Sequence, residues 1–372
     1  MRTVLAFFTF TCLIGACSPS EHVHNHETQS CTLGPLPGSY DSPSYDTNTV
    51  VERDVRTRFK AFLQPMRDAE ANLAIKPTAA ELTALYEAGS PSLRSLSSSY
   101  YQTKVDALIA AFAAAAGNTW TPTAPPAGPG GKYGANIFSA DGTDLRQAIE
   151  KGLFAAAFYR HALTLLDAPI TESTIDRSIA SFGAHASFPG DTAAAQNPDE
   201  FSAAYAKRRD KRDPQNPGVY LRFKNAAIQA RAAIVAGDGC IAERDQALQA
   251  MRGEWERALA ATTIYYFNDT IKKLSATAPT AADLAAGLHG YGEGVGFIHG
   301  FRTLPTAQRI ITDAQIDDFL SLVGAPSSGS VTSYRLVTDP ASELPKLSLG
   351  IQRLATIYGF SAQQVEDFKT NF

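Results

Sequence analysis

The stretch Asp283–Pro305, DLAAGLHGYGEGVGFIHGFRTLP, decides the fold. Helical spacing places Ala286, His289, Gly290, Glu293, Gly296, Phe297, Gly300 and Phe301 on one face. Six glycines (Gly287, Gly290, Gly292, Gly294, Gly296, Gly300) each cost such a helix roughly 1 kcal/mol against alanine. A helix this weak forms only where neighbours hold it, and its missing side chains let those neighbours come close. The stretch therefore predicts a helix packed inside a bundle. His289 and Glu293, one turn apart in the stripe, are either a satisfied buried pair or ligands.

Outward from this stretch the pattern stays helical. Val51–Ala71 reads as a helix bent or divided at Pro65. Thr78–Glu81 is a capping-box start. Helices follow at Ser98–Ala116 and Asp144–Leu166, and Val219–Ala236 joins Ile241–Ala276 through Gly237-Asp238-Gly239. Residues 171–218 read as short helices split by prolines, and Thr121–Gly134 as a Pro/Gly loop. Further helices are expected near 313–323, 345–358 and 361–370. No strand alternation stands out. The expectation is an all-α multi-helix bundle, with one helical domain over 49–372. A faint likeness between Asp144–Leu166 and Asp283–Pro305 marks a candidate two-fold division into 49–235 and 236–372.

The chain has 372 residues, 44% hydrophobic and 19% charged, with a formal charge of −4; that leaves no basic field for nucleic acid as the main partner. Arg2, the apolar run Val4–Ile14 and Gly15-Ala16-Cys17 read as a signal peptide over 1–16. Ile14–Cys17 resembles a bacterial lipobox. The resemblance implies cleavage before Cys17 and lipidation of it, and Ser18 implies sorting to a Gram-negative outer membrane, facing the periplasm or the surface. Residues 17–48 read as a lipidated tether. Its His22, His24 and His26 are either a weak transition-metal site or part of a solvated spacer. Cys31 and Cys240, the remaining thiols of the mature chain, are a candidate disulfide in an oxidising compartment.

Other long helices also carry polar groups on apolar faces. Glu256 beside Trp255 continues the face of Leu259, Thr263 and Phe267, and Gln147, Glu150 and His161 bound the face of Leu153 and Phe158. A buried carboxylate needs a cation, a donor or a proton. Three readings stand. The first is a metal site of His289, Glu293, Glu256 and His299, surrounded by Gln147, Glu150, Lys151 and Trp255 and holding iron or zinc. The second is a buried ion network using Lys151, Arg146 or Arg302. The third is a hydrolase with Glu256 and Glu293 as acid and base. The absence of His-Glu-x-x-His, Cys-x-x-Cys and Gly-x-Ser-x-Gly weighs against an enzyme. Lys207–Arg212 reads as a solvated basic face.

Arg56-Thr57-Arg58, Gln147–Phe154, Trp255-Glu256-Arg257-Ala258 and Gly292–Phe297 occur in an order similar to the bacterial lipoprotein family catalogued as domain of unknown function 4856. Arg257 stands where that family's Trp-Asp-Glu-Ala motif has its second acid. A looser likeness is to imelysin-like, iron-regulated lipoproteins: Gly287-Leu288-His289 resembles the start of their Gly-x-His-x-x-Glu motif, with the acid one position late at Glu293. These resemblances imply an all-helical, lipid-anchored envelope protein that binds a metal or metal complex for an uptake system. The alternative is a helical surface scaffold, structural or adhesin-like.

Overall fold

The computed structural model describes residues 31–187 and 197–372. Cys17, His22, His24 and His26, and with them the signal and the tether up to residue 30, lie outside the described residues.

The glycine-rich stretch forms the helix Ala281–Phe301. It opens on a capping box, in which Thr280 Oγ1 accepts from the Asp283 amide and the Asp283 carboxylate accepts from the Thr280 amide at 3.0 Å. Its glycines divide between two neighbours. Gly292, Gly296 and Gly300 face the helix Leu145–Leu153: a Cβ on Gly296 would lie 2.9 Å from Lys151 Cβ and 3.0 Å from the Gln147 carbonyl oxygen. Gly287 and Gly294 face the long helix Ile241–Leu274, where a Cβ on Gly294 would lie 2.8 Å from the Phe267 ring. At that closeness side chains reach across to main chain: Thr270 Oγ1 donates to the Gly287 carbonyl at 3.0 Å. The local cost of the glycines is thus offset by contact on both sides.

The long helix packs on Val219–Ala236, on the glycine-rich helix and on Pro340–Tyr358. Phe267 stacks on Phe319 with ring centres 5.7 Å apart. One apolar core runs through both ends of the chain, from Tyr40 to Phe368. Leu145–Leu153 continues through a π-helical turn, Phe154–Tyr159, into Arg160–Leu166. The architecture is an all-α multi-helix bundle with one small hairpin.

That hairpin, Gly131–Tyr133 paired antiparallel with Asn136–Phe138, corrects the reading of Thr121–Gly134 as loop alone. Three-residue strands are too short to show alternation, and packing of Trp120 against Phe138 and Tyr133 holds the segment in place. The last long helix also begins earlier than its apolar pattern suggests. Pro340 occupies its first turn, where a missing amide costs nothing, and Pro345 is carried inside it.

The basic run is likewise not a solvated face throughout. Arg209 is 3% exposed, stacks 3.9 Å from the Tyr265 ring centre and donates to the Phe368 carbonyl at 2.6 Å, so it fastens the C-terminal segment. Asp210, also buried, accepts from the Tyr220 and Leu221 amides at 2.9 Å and caps Val219–Ala236.

A disulfide joins Cys31 to Cys240, with Cα atoms 4.7 Å apart across a separation of 209 residues. The segment after it is tied down again at buried Asp176, which accepts from Tyr40, Ser42 and Asn48.

Two stability predictions follow from these contacts. Gly296→Ala should cost about 1–3 kcal/mol in urea denaturation, because the added methyl meets main chain. Gly290→Ala, whose Cβ would meet side chains alone and none closer than Thr270 Oγ1 at 3.3 Å, should stay within about 1 kcal/mol of wild type. Equal effects would contradict the packing described. Opening the disulfide by Cys31→Ser with Cys240→Ser should lower stability by about 3–5 kcal/mol on the same assay, given the length of chain it closes; an unchanged midpoint would show that it does not constrain the unfolded state.

Candidate functional site

The long cap at Asp144 starts the site. Its Oδ1 accepts from the Gln147 amide at 3.0 Å, beginning the helix Leu145–Leu153. Its second oxygen is left for another partner. Because Gly292 brings the next helix close, that partner is His289, whose Nδ1 lies 2.9 Å from Asp144 Oδ2. His289 Nε2 lies 3.1 Å from Glu293 Oε1, one turn along its own helix. Glu293 Oε2 is 3.8 Å from Lys151 Nζ, which sits 2.7 Å from Glu150 Oε1. Arg146 then bridges Glu150 Oε2 at 2.7 Å to Glu70 Oε2 at 2.6 Å. Glu70, Arg146, Glu150, Lys151, Glu293, His289 and Asp144 therefore form one chain of alternating charge across three helices.

Each member's protonation follows from its neighbours. Burial opposes charge on His289, but the hydrogen bonds to Asp144 and Glu293 outweigh it and push the imidazole up to about 10. Burial likewise works against the Glu293 and Glu150 carboxylates. Lys151, followed by His289, nevertheless lowers Glu293, and Lys151 with Arg146 draws Glu150 down to about 2. Lys151 is raised, since Glu150 and Glu293 more than offset its burial; its ammonium also lies 4.9 Å from the Tyr205 ring centre. At the far end burial and the nearby Asp144 push Glu70 up to about 7, in spite of Arg146.

The chain reaches solvent at His289. Its side chain is 27% exposed, against 7% for Glu293, 3% for Lys151 and none for Asp144. Above it opens a cleft of about 230 Å3 bounded by Tyr205, Tyr265, Tyr266, Arg208 and Lys273. Tyr205 Oη donates to Glu293 Oε2 at 3.4 Å. Tyr266 also hydrogen-bonds Glu293, and burial together with that carboxylate raises its phenol far above the usual range.

The structure brings together only part of the expected metal set. Glu256 is fully buried elsewhere, where it accepts from the Ile310 and Ile311 amides at 2.8 and 2.9 Å and from Tyr358 Oη at 2.8 Å. His299 is buried beside Lys104 and the Ala325 backbone, and burial holds it well below its ordinary value, so it is neutral. Trp255 stacks on Tyr159 at 4.6 Å as a core residue. Gln147 is buried, but its Oε1 finds no partner among the described residues. Glu150 and Lys151 do stand behind Glu293. At the pair itself both ring nitrogens of His289 are engaged by carboxylates, Nδ1 by Asp144 and Nε2 by Glu293. Among the described residues, the one close group of potential ligands is Cys31, Cys240 and Glu243, and those two sulfurs are already bonded to each other.

Asp144, Glu70, Tyr205 and Tyr266 escaped the sequence reading. Asp144 gave a partial signal as a capping residue three before Gln147; nothing local shows that its other oxygen has a partner 145 residues away.

Fold and site together define a helical bundle with a buried charge chain opening into a tyrosine-lined cleft. Residues 182–326 match the model of the family described as "Domain of unknown function (DUF4856)". That segment carries Tyr205, the long helix and the glycine-rich helix, but not Asp144 or Lys151. No curated protein and no solved structure gives a significant match to the chain.

The raised imidazole makes a pH prediction with a definite sign. An unfolded imidazole loses its proton near 6.5, whereas His289 keeps its own to about 10. Its contribution is therefore complete below pH 6.5 and fades as pH climbs towards 10. His289→Gln should cost about 3 kcal/mol at pH 6. Its deficit against wild type in urea denaturation should shrink steadily towards pH 10, and a deficit independent of pH would refute a charged His289.

Proposed function

We propose that this protein is a lipid-anchored cell-envelope binding protein, accessory to metal acquisition, which takes up an oxygen-rich metal chelate rather than a bare ion. The observation that carries the reading is the exposure of His289 at the foot of the cleft, the place where a buried, ordered charge chain meets water. Ligand sites commonly combine such fixed polar groups with aromatic walls. Here the walls are Tyr205, Tyr265 and Tyr266, with Arg208 stacked 5.3 Å from the Tyr205 ring centre and Lys273 at the rim. Carboxylate oxygens of a chelate would accept from Arg208, Lys273 and Tyr265 Oη, whose own proton is not used in accepting from Asn371, and the metal would keep its own ligands. The lipobox-like Ile14–Cys17 supports an anchored protein at the outer membrane.

The scaffold reading is favoured by one observation, the capping of Glu293 by Lys151. A hydrolase finds no support, because Glu256 and Glu293 line separate clefts and share no hydrogen-bond partner.

Thermal melting of protein purified without chelators separates these readings. A ferric hydroxycarboxylate chelate such as ferric citrate should raise the melting temperature, with stabilisation of about 2.7 kcal/mol at a hundred times the dissociation constant. Iron, zinc and manganese salts alone should not. Arg208→Gln with Tyr265→Phe should remove the shift. If ferric chelates leave the melting temperature unchanged, the binding reading falls and the scaffold stands.

A further inference from the structure

A second, larger cavity lies away from His289. It measures about 870 Å3, between the long helix and the segment 307–310. One stripe of the helix lines it at helical spacing, with Gln249, Gly253 and Arg257 on the stripe and Arg252 beside it; Arg309 closes the opposite wall. Glu256 builds that wall. Holding the Ile310 and Ile311 amides on its two oxygens, it fixes the segment from which Arg309 projects.

The guanidinium groups here are incompletely partnered. The Arg309 side chain is 1% exposed and donates to the Phe301 carbonyl at 3.1 Å and to Asp313, yet its Nε is buried without a partner among the described residues. Arg252 Nε is in the same condition, and its Nη2 reaches only 3.5 Å to the Leu166 carbonyl and 3.6 Å to Asp167. Arg257 meets Glu254 at 3.1 Å, but its Nε lies 3.5 Å from the Tyr358 carbonyl, at the limit of a hydrogen bond. The Nε atoms of Arg252 and Arg309 are sealed from solvent, so the groups open to a ligand are the forks of Arg252 and Arg257, whose side chains are 22% and 33% exposed; such a fork matches carboxylate and phosphate oxygens. Of the acids at the cavity, Asp245 is paired with Arg244 at 2.7 Å and both Glu256 oxygens are occupied. Four arginines thus line the wall against two acids, while Asp167, Glu254 and Asp313 partner three of them from outside it.

We infer that this cavity is a second binding site, for a small organic anion carrying several phosphate or carboxylate oxygens, held by Arg252 and Arg257 against the wall that Arg309 braces. The volume lies within the range of small-molecule sites, and the polar lining suits a charged ligand better than an apolar one. The inference does not depend on the chelate reading of the other cleft.

Isothermal titration at constant ionic strength tests it, with inorganic pyrophosphate and citrate as probes. At least one probe should bind saturably below about 10 mM. Arg252→Gln and Arg257→Gln should each weaken binding roughly fivefold or more, and the double variant should abolish it. Arg257→Lys should retain more affinity than Arg257→Gln. Arg208→Gln with Tyr265→Phe, in the other cleft, should leave this binding unchanged. Far-ultraviolet circular dichroism confirms that each variant is folded before it is titrated. Absence of saturable binding by both probes, or binding that survives the double variant, overturns the inference.

Discussion

The constraint on which the rest of this structure depends is that a buried charge must be answered. His289 is held between Asp144 and Glu293, and the compensation then runs through Lys151, Glu150 and Arg146 to Glu70. Removing any inner member would strand its neighbour in a medium that solvates it poorly. The helices that carry these groups are therefore fixed in register with one another, and the apolar core packs around that register. The glycines serve the same end. Without the close approach at Gly292 and Gly296, the helix carrying Asp144 and Lys151 would stand too far from the helix carrying His289 and Glu293.

The long helix Ile241–Leu274 separates two kinds of surface. Near its C-terminal half, Tyr265 and Tyr266 help wall the cleft above His289. Towards its N-terminal half, Glu256 captures two backbone amides and shapes the arginine-lined cavity. The two acids that look alike on helical wheels thus do opposite jobs. Glu293 is a link in a charge chain with its neighbour at the surface, whereas Glu256 acts as an anchor for a loop and offers no free oxygen. This difference is why a joint metal centre or a catalytic pair fails geometrically, although each residue sits on an apolar face.

Aromatic rings pack closely behind the cleft. Phe154, in the π-helical turn that follows Lys151, packs on Phe297 and Tyr205 at 5.8 Å each, so the lysine is held by rings as well as by carboxylates. A floor so constrained would present a ligand with the same polar edge each time. The N-terminal segment is also fixed, by Cys31–Cys240 and by Asp176, so the point where a tether would leave the bundle lies at the turn joining Val219–Ala236 to Ile241–Leu274.

The amino-acid sequence by itself determined the helical class, the main helix boundaries and the need for close packing at Asp283–Pro305. These follow from periodicity, capping residues and glycine placement, which act over a few residues. It also singled out His289, Glu293, Glu150 and Lys151, because polar groups on apolar stripes break a local rule. Only the tertiary structure decided who partners whom. Asp144 meets His289 across 145 positions, and Arg209 is buried by Tyr265 and the C-terminal residues rather than solvated. The hairpin at Gly131–Phe138 forms because Trp120 packs against it. Such outcomes depend on which surfaces the bundle brings together. Local sequence can show that a buried carboxylate requires a partner, but the partner itself is chosen by packing between distant segments.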